Sequence, residues 1–280
     1  SGYLSLYSNT TGNGNVASGY QALTNNTTGS YNTASGYYAL KNNTTGAYNA
    51  AVGPYALNNN TSGDALVGVG YQALYSNTSG SYNSAVGMYA LAFNTTGSYN
   101  AGFGTYALYK NTTGNANMGI GYGALFNNTN ASYNAAIGMY SMYNNTTGGR
   151  NVSVGYQSLY KNTTGSSNTA VGFAAGNLNQ TGSNNVFIGD FTGENTNAGN
   201  NTAVGTSALN KNTSGTNNTA FGHQSGYSNQ SGSGNVFIGY KAGYNEAGSN
   251  KLYIANGSSN SNRLIYGDFS TGNMTIGNGS

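Results

Sequence analysis

The chain has 280 residues, with 45 Gly, 26 Tyr, one Pro, no Trp and no Cys, and only 5% of it is charged. An average globular domain carries roughly 25% charge, so its polar face must be made of Asn, Ser, Thr and Gly, while 12% aromatics set it apart from ring-poor disordered chains. The net charge of +3 is scattered over residues such as Lys41, Lys110, Arg150, Lys161 and Lys211, which leaves no footprint for nucleic acid; the missing cysteines exclude disulfides and thiolate metal sites, and no apolar run approaches the ~20 residues that predict membrane insertion.

One glycine recurs with a spacing of 17 from Gly2, through Gly19, Gly36 and Gly53, to Gly189; Gly205 follows after 16, then Gly222 and Gly239 at 17 again. The consensus is G-Y-x-A-L-x-x-N-T-T-G-S-Y-N-x-A-V. A unit of this length is too short for a helical pair, and it is poor in helix formers. It predicts an all-β, parallel β-solenoid (β-roll) of about fifteen 17-residue coils. Each coil is expected to hold two short strands, with bends at Asn-Thr-Thr-Gly and Ser-Tyr-Asn, where Gly and Asn accept turn geometry. Stacked at ~4.8 Å, such coils would make a rod roughly 70 Å long.

Residues 1–171 form the regular repeats. Ser1-Gly2-Tyr3-Leu4 enters in phase, without a leader segment, so more chain or a stacked subunit is expected before it. An apolar column precedes the repeat glycine (Val52, Val69, Val86, Phe103, Ile120, Ile137). Three residues after the glycine runs an Ala column, and four after it a Leu column: Leu23, Leu40, Leu57, Leu74, Leu91, Leu108 and Leu125. In an extended strand, Val and Ala would share one face and Leu would take the other. Both faces would then be apolar, one filling the interior and the other needing cover, which predicts self-association into a homotrimer or filament unless a bend within the segment rescues a monomer. Two Tyr columns, Tyr20, Tyr37, Tyr71, Tyr122 and Tyr156, and Tyr31, Tyr48, Tyr82, Tyr99 and Tyr133, read as structural ladders, with carbohydrate stacking as a second use.

Residues 172–248 are variant repeats, in which Gly176, Gly193, Gly226 and Gly243 replace the Leu and Asn-Val-Phe-Ile-Gly alternates with Asn-Thr-Ala-Val-Gly. Residues 249–280 lose the period and read as a C-terminal β cap, which solenoids need to block edge pairing.

Asn9, Asn26, Asn43, Asn60, Asn77, Asn94, Asn111, Asn145 and Asn162 each begin an N-x-[ST] sequon at one place in the coil. They are candidate glycan acceptors in a secretory context, or turn residues whose amides bond one another along the stack. No catalytic constellation, cofactor site or metal motif emerges. His223 stands in a Tyr column, and Asp190 and Glu194 are the only closely spaced acids on which a paired-carboxylate mechanism could be built.

Asn168-Thr169-Ala170-Val171-Gly172-Phe173 resembles the head repeats of trimeric autotransporter adhesins. Val154-Gly155-Tyr156-Gln157-Ser158-Leu159 with Asn162-Thr163-Thr164-Gly165 resembles repeats of phage tail-fibre and bacterial surface proteins. The run Asn250-Lys251-Leu252-Tyr253-Ile254-Ala255-Asn256, then Leu264 to Ser270, is similar to the segment before a cleavable chaperone in such fibres. The resemblance implies a left-handed β-roll in a homotrimer, outside the cell or on a virion. The expected function is an extracellular fibre or adhesin shaft, not an enzyme, with a cell-surface carbohydrate or protein as receptor. A self-assembling extracellular matrix filament, glycosylated or not, is the alternative, and ice binding by the Thr rows Thr10-Thr11, Thr27-Thr28 and Thr44-Thr45 is a third.

Overall fold

The computed structural model describes residues 1–259 and 262–277. The chain divides into two compact units, Ser1–Thr147 and Gly148–Ser280. The first holds β1 (Val16–Ser18), β2 (Thr33–Ser35), β3 (Ala50–Val52), β4 (Val67–Val69), β5 (Ser84–Val86), β6 (Ala101–Phe103), β7 (Met118–Ile120) and β8 (Ala135–Ile137). Each pairs in parallel with the next, and partners sit one repeat apart, as Val16 does with Thr33 and Ala34 with Ala51.

The second unit holds β9 (Val152–Val154), β10 (Thr169–Val171), β11 (Val186–Ile188), β12 (Thr202–Val204), β13 (Thr219–Phe221) and β14 (Val236–Ile238). After them come β15 (Lys251–Ala255), β16 (Arg263–Asp268) and β17 (Asn273–Ile276). Strands β9 to β15 pair in parallel. The 16-residue step keeps this register, with Val186 opposite Thr202. Then β16 and β17 turn antiparallel and close the last parallel strand. Of the expected cap, residues 260, 261 and 278–280 lie outside the described residues.

The chain is thus an all-β parallel solenoid of about 14 turns, with no α-helix among the described residues. Each coil contains one three-residue strand rather than two, because the rest of the repeat is turn. The strand's middle residue points inward and its neighbours outward, so Ala34 and Ala51 are buried while Val52 is exposed. The repeat glycine then takes φ between about +114° and +146°. A Cβ there would overlap the backbone of the equivalent glycine one coil on, as Gly70 against the carbonyl carbon of Gly87 at 2.8 Å.

The division of faces expected for an extended segment is corrected by the backbone just after the glycine. The second and fourth residues beyond it are left-handed: Tyr38 and Leu40 have φ of 57° and 52°, and Tyr89 and Leu91 have 59° and 52°. Alternation of faces holds only for extended backbone. These left-handed steps re-aim the chain, so that Ala39 and Leu40, or Ala90 and Leu91, both point into the coil and are fully buried. The Leu column therefore asks for no outside cover. Left-handed Leu and Tyr cost roughly 1–2 kcal/mol each, offset by a fully enclosed side chain and by backbone bonds to both neighbouring coils. Tyr38 N–H donates back to Tyr20 O at 3.0 Å, and Leu40 N–H donates forward to Ala56 O at 2.9 Å.

The variant repeats keep the same interior volume with different side chains. Where the fourth residue after the repeat glycine is Leu, the mid-strand residue is Ala, Gly or Ser. Around β11 and β14 the mid-strand residue becomes Phe187 or Phe237, both fully buried. Phe187 then lies against Gly176 and Gly193, and Phe237 against Gly226 and Gly243, in the room that Leu leaves elsewhere.

Candidate functional site

The sequon asparagines line up inside the turn. Asn43 Nδ2 donates to Asn26 Oδ1 at 2.8 Å and to Gly46 O at 2.8 Å; Asn60 repeats this with Asn43 Oδ1 at 2.8 Å and Gly63 O at 3.0 Å. The pattern continues through Asn77, Asn94, Asn111, Asn128 and Asn145, each 2.8 Å from the residue before it. Asn26, Asn43, Asn60, Asn77, Asn94, Asn111, Asn145 and Asn162 are fully buried, and Asn9, in the first coil, is half-buried. A glycan would have to leave from the nitrogen that each uses inside the stack.

A second amide column, legible in the sequence only as a bend, is buried as well. Asn32 Nδ2 donates to Gly46 O at 2.9 Å and its Oδ1 accepts the Asn49 amide at 3.0 Å. Asn83, Asn100 and Asn117 are bonded likewise. The signal was in the repeat: an Asn retained at a bend while its neighbours vary is an internal acceptor for the next coil.

Of each Thr pair, the first is tied down. Thr27 Oγ1 donates to Thr44 O at 3.0 Å and Thr44 Oγ1 to Thr61 O at 3.0 Å. Thr27 and Thr44 are half-buried and Thr28 and Thr45 exposed, while in the first coil both Thr10 and Thr11 are exposed.

The Leu residues singled out, Leu23, Leu40, Leu57, Leu74, Leu91, Leu108 and Leu125, are all fully buried within their coils. The outward apolar surface belongs to the strand ends instead. Val52, Val86, Phe103, Ile120 and Ile137 in the first unit, and Ile188, Phe221 and Ile238 in the second, are each at least about one-third exposed. In the column after the repeat glycine, Tyr20 and Tyr37 stack at 5.3 Å. In the other Tyr column, Tyr31 stacks on Tyr48 at 5.3 Å and Tyr82 on Tyr99 at 5.0 Å.

Scarce charges are seated on rings or capped by amides. Lys41 Nζ lies 4.2 Å from the Tyr38 ring centre, and the Arg263 guanidinium lies over both Tyr253 and Tyr266, at 4.8 and 4.9 Å from their centres. The paired acids accept from different partners: Asp190 Oδ1 takes the Phe173 amide at 2.9 Å and Glu194 Oε2 takes Asn210 Nδ2 at 2.9 Å. His223 stacks on Tyr240 at 5.7 Å, continuing its column. Glu246 accepts the Tyr253 hydroxyl and the Gly248 amide; burial, and then that bond, push the Tyr253 phenol above its usual range. Among the described residues, no group of three His, Cys, Asp or Glu side chains is placed to hold a metal ion. No protein-family model, curated protein or solved structure matches the chain.

Proposed function

We infer that the chain is the structural shaft of an extracellular fibre or adhesin, which presents its surface and associates with copies of itself. The observation that carries this is the apolar column on the outer edge of the parallel strands. In the first unit Val52, Val86, Phe103, Ile120 and Ile137 lie in one register with side chains exposed. A contiguous apolar strip in a chain with 5% charge is an association surface. Burying it would contribute ~25 cal/mol per Å², and parallel copies would match it coil for coil. A homotrimer on the cell surface or virion fits both this strip and the resemblance to trimeric fibre repeats.

The native mass of the purified chain in solution tests it. A trimer supports the shaft, an indefinite polymer replaces it with a matrix filament, and a monomer at micromolar concentration overturns the association. Changing Val86 and Ile120 to Thr should lower the native mass while the coil stays folded, because neither side chain fills the interior.

A further inference from the structure

The second Tyr column is interrupted in a regular way. In the first unit it runs Gly14, Tyr31, Tyr48, Ala65, Tyr82, Tyr99, Ala116, Tyr133. Every third coil therefore lacks the ring. Those coils differ at two further places. The residue before is Asn13, Asp64 or Asn115, where the Tyr coils carry Ser or Ala. Two residues after is Val16, Val67 or Met118, all exposed, where the Tyr coils carry Thr, Ala or Ser. Three linked changes recurring in step define a 51-residue super-repeat within the 17-residue one.

The rings that remain hold a common orientation, with 12° between Tyr31 and Tyr48 and 3° between Tyr82 and Tyr99. Tyr48 and Tyr82 are thus two coil steps apart, roughly 10 Å along the stack, with only the methyl group of Ala65 between their positions. Tyr99 and Tyr133 bracket Ala116 in the same way. Tyr48, Tyr82, Tyr99 and Tyr133 are 57–65% exposed, more than Tyr20 and Tyr37 of the other column, which stack on each other and are 40% and 43% exposed. A coil without its ring thus leaves a gap of one coil step between exposed tyrosines.

From this geometry we propose that the two gaps are binding slots for a neutral pyranose ring, sandwiched between Tyr48 and Tyr82 and again between Tyr99 and Tyr133. A pyranose suits the spacing because its C–H faces pack on aromatic rings at about the 5 Å that separates neighbouring rings of this column. Its hydroxyls lie on the ring edge, where they meet the polar side chain that accompanies each gap. Asp64 uses Oδ1 on the Ala47 amide at 2.7 Å, which leaves Oδ2 to accept from a hydroxyl. Asn115 accepts the Ser98 amide at 2.8 Å and gives one amide hydrogen to Thr113 O at 3.1 Å, which leaves the other to donate. A hydroxyl both donates and accepts, so it satisfies either slot. Val67 and Met118 extend the apolar floor. Two slots on one chain add avidity for a surface that displays many terminal sugars. The slots rest on the adhesin reading and give it a ligand class. They do not depend on the oligomeric state, so the native mass and the sugar titration fail independently.

The test is titration of the full chain with methyl β-D-galactopyranoside and methyl β-D-glucopyranoside, read from the tyrosine ring resonances, with phenol as a flat aromatic control. The expected result is weak saturable binding of at least one pyranoside at two sites per chain. Ala65→Tyr should complete the ladder and remove one site, and Ala65→Tyr with Ala116→Tyr should remove both. Tyr occupies this left-handed position in neighbouring coils, so the fold should be kept. If the filled variants do not fold, Tyr48→Leu and Tyr99→Leu remove one wall from each slot and should abolish binding too. Absence of saturable binding by both sugars, unchanged binding in the filled variants, or saturation by phenol alone overturns the proposal.

Discussion

Asn60 Nδ2 lies 2.8 Å from Asn43 Oδ1, and this one bond, repeated from Asn26 to Asn145, ties each of those turns to the one before it. Removing the amide orphans a buried acceptor, since Asn43 Oδ1 loses its donor. Asn60→Ala is therefore expected to destabilise the first unit by about 1–3 kcal/mol, seen as a lower denaturant midpoint. The converse exists in the second unit. There Thr196 stands in the Asn column, and Asn179 Oδ1 and Thr196 Oγ1 are buried without partners. Thr196→Asn should supply the missing donor and stabilise the unit by about 1 kcal/mol, seen as a higher midpoint. A fall instead would mean that the shortened coil cannot hold the amide.

The same bonds bear on glycosylation. A sugar on Asn26 through Asn162 would replace an N–H already used inside the stack and would have to leave a closed interior. Intact-protein mass spectrometry should give the bare sequence mass. Regular hexosamine increments at these asparagines would require a turn turned inside out relative to the one described.

Phe187 and Gly193 form an exchange unit. A Cβ on Gly193 would overlap the Phe187 ring, and one on Gly176 would come 2.8 Å from its Cδ2. Gly193→Leu should cost about 1–3 kcal/mol by overpacking, and Phe187→Ala about 3–5 kcal/mol by leaving a cavity. Combining Phe187→Ala with Gly176→Leu and Gly193→Leu rebuilds the packing of the regular coils, where Leu40 and Leu91 hold the same left-handed conformation. The triple variant should recover most of the loss. Additive losses in thermal denaturation would show that the two core types are not interchangeable.

The period, the parallel stacking and the in-phase glycines were legible from spacing alone, because Gly19, Gly36 and Gly53 recur more strictly than composition allows. The place of Leu40 was not. Alternation of faces assumes extended backbone, and nothing local marks Tyr38 and Leu40 as left-handed, since neither residue type favours it. Only the closure of a 17-residue coil imposes that conformation. The Asn columns were legible as turns but not as interior, because an amide can be buried without penalty only when the neighbouring coil supplies its partner. The exchange of Leu for Gly was visible as a change of pattern, but its compensation by Phe187 needed coordinates.

The last expectation concerns acid. Lys251 Nζ lies 2.6 Å from Asp268 Oδ2 across the antiparallel pairing of β15 and β16, with both side chains about one-fifth exposed. The Lys251 ammonium, then the Ser270 hydroxyl and amide, pull the Asp268 carboxyl from its ordinary 3.8 down to about 2. A carboxylate depressed on folding stabilises the folded form above its unfolded value. That contribution fades as pH falls from about 4 through about 2. Lys251 shifts the opposite way, upward, chiefly through the same bond, so its contribution is fully present at neutral pH and below, as long as Asp268 stays ionised. The bonds between coils are mostly amide and backbone bonds that do not titrate, those to the Asp64, Asp190 and Glu194 carboxylates aside. Acidification should therefore loosen β15 to β17 first, read as broadening or shifting of the Tyr253 and Tyr266 ring resonances between about pH 4 and pH 2, while far-ultraviolet circular dichroism stays β-rich. Asp268→Asn should weaken the strand pair at neutral pH and remove its acid dependence. Cooperative loss of the whole β signal near pH 4 would place the pH-sensitive contacts in the coils instead.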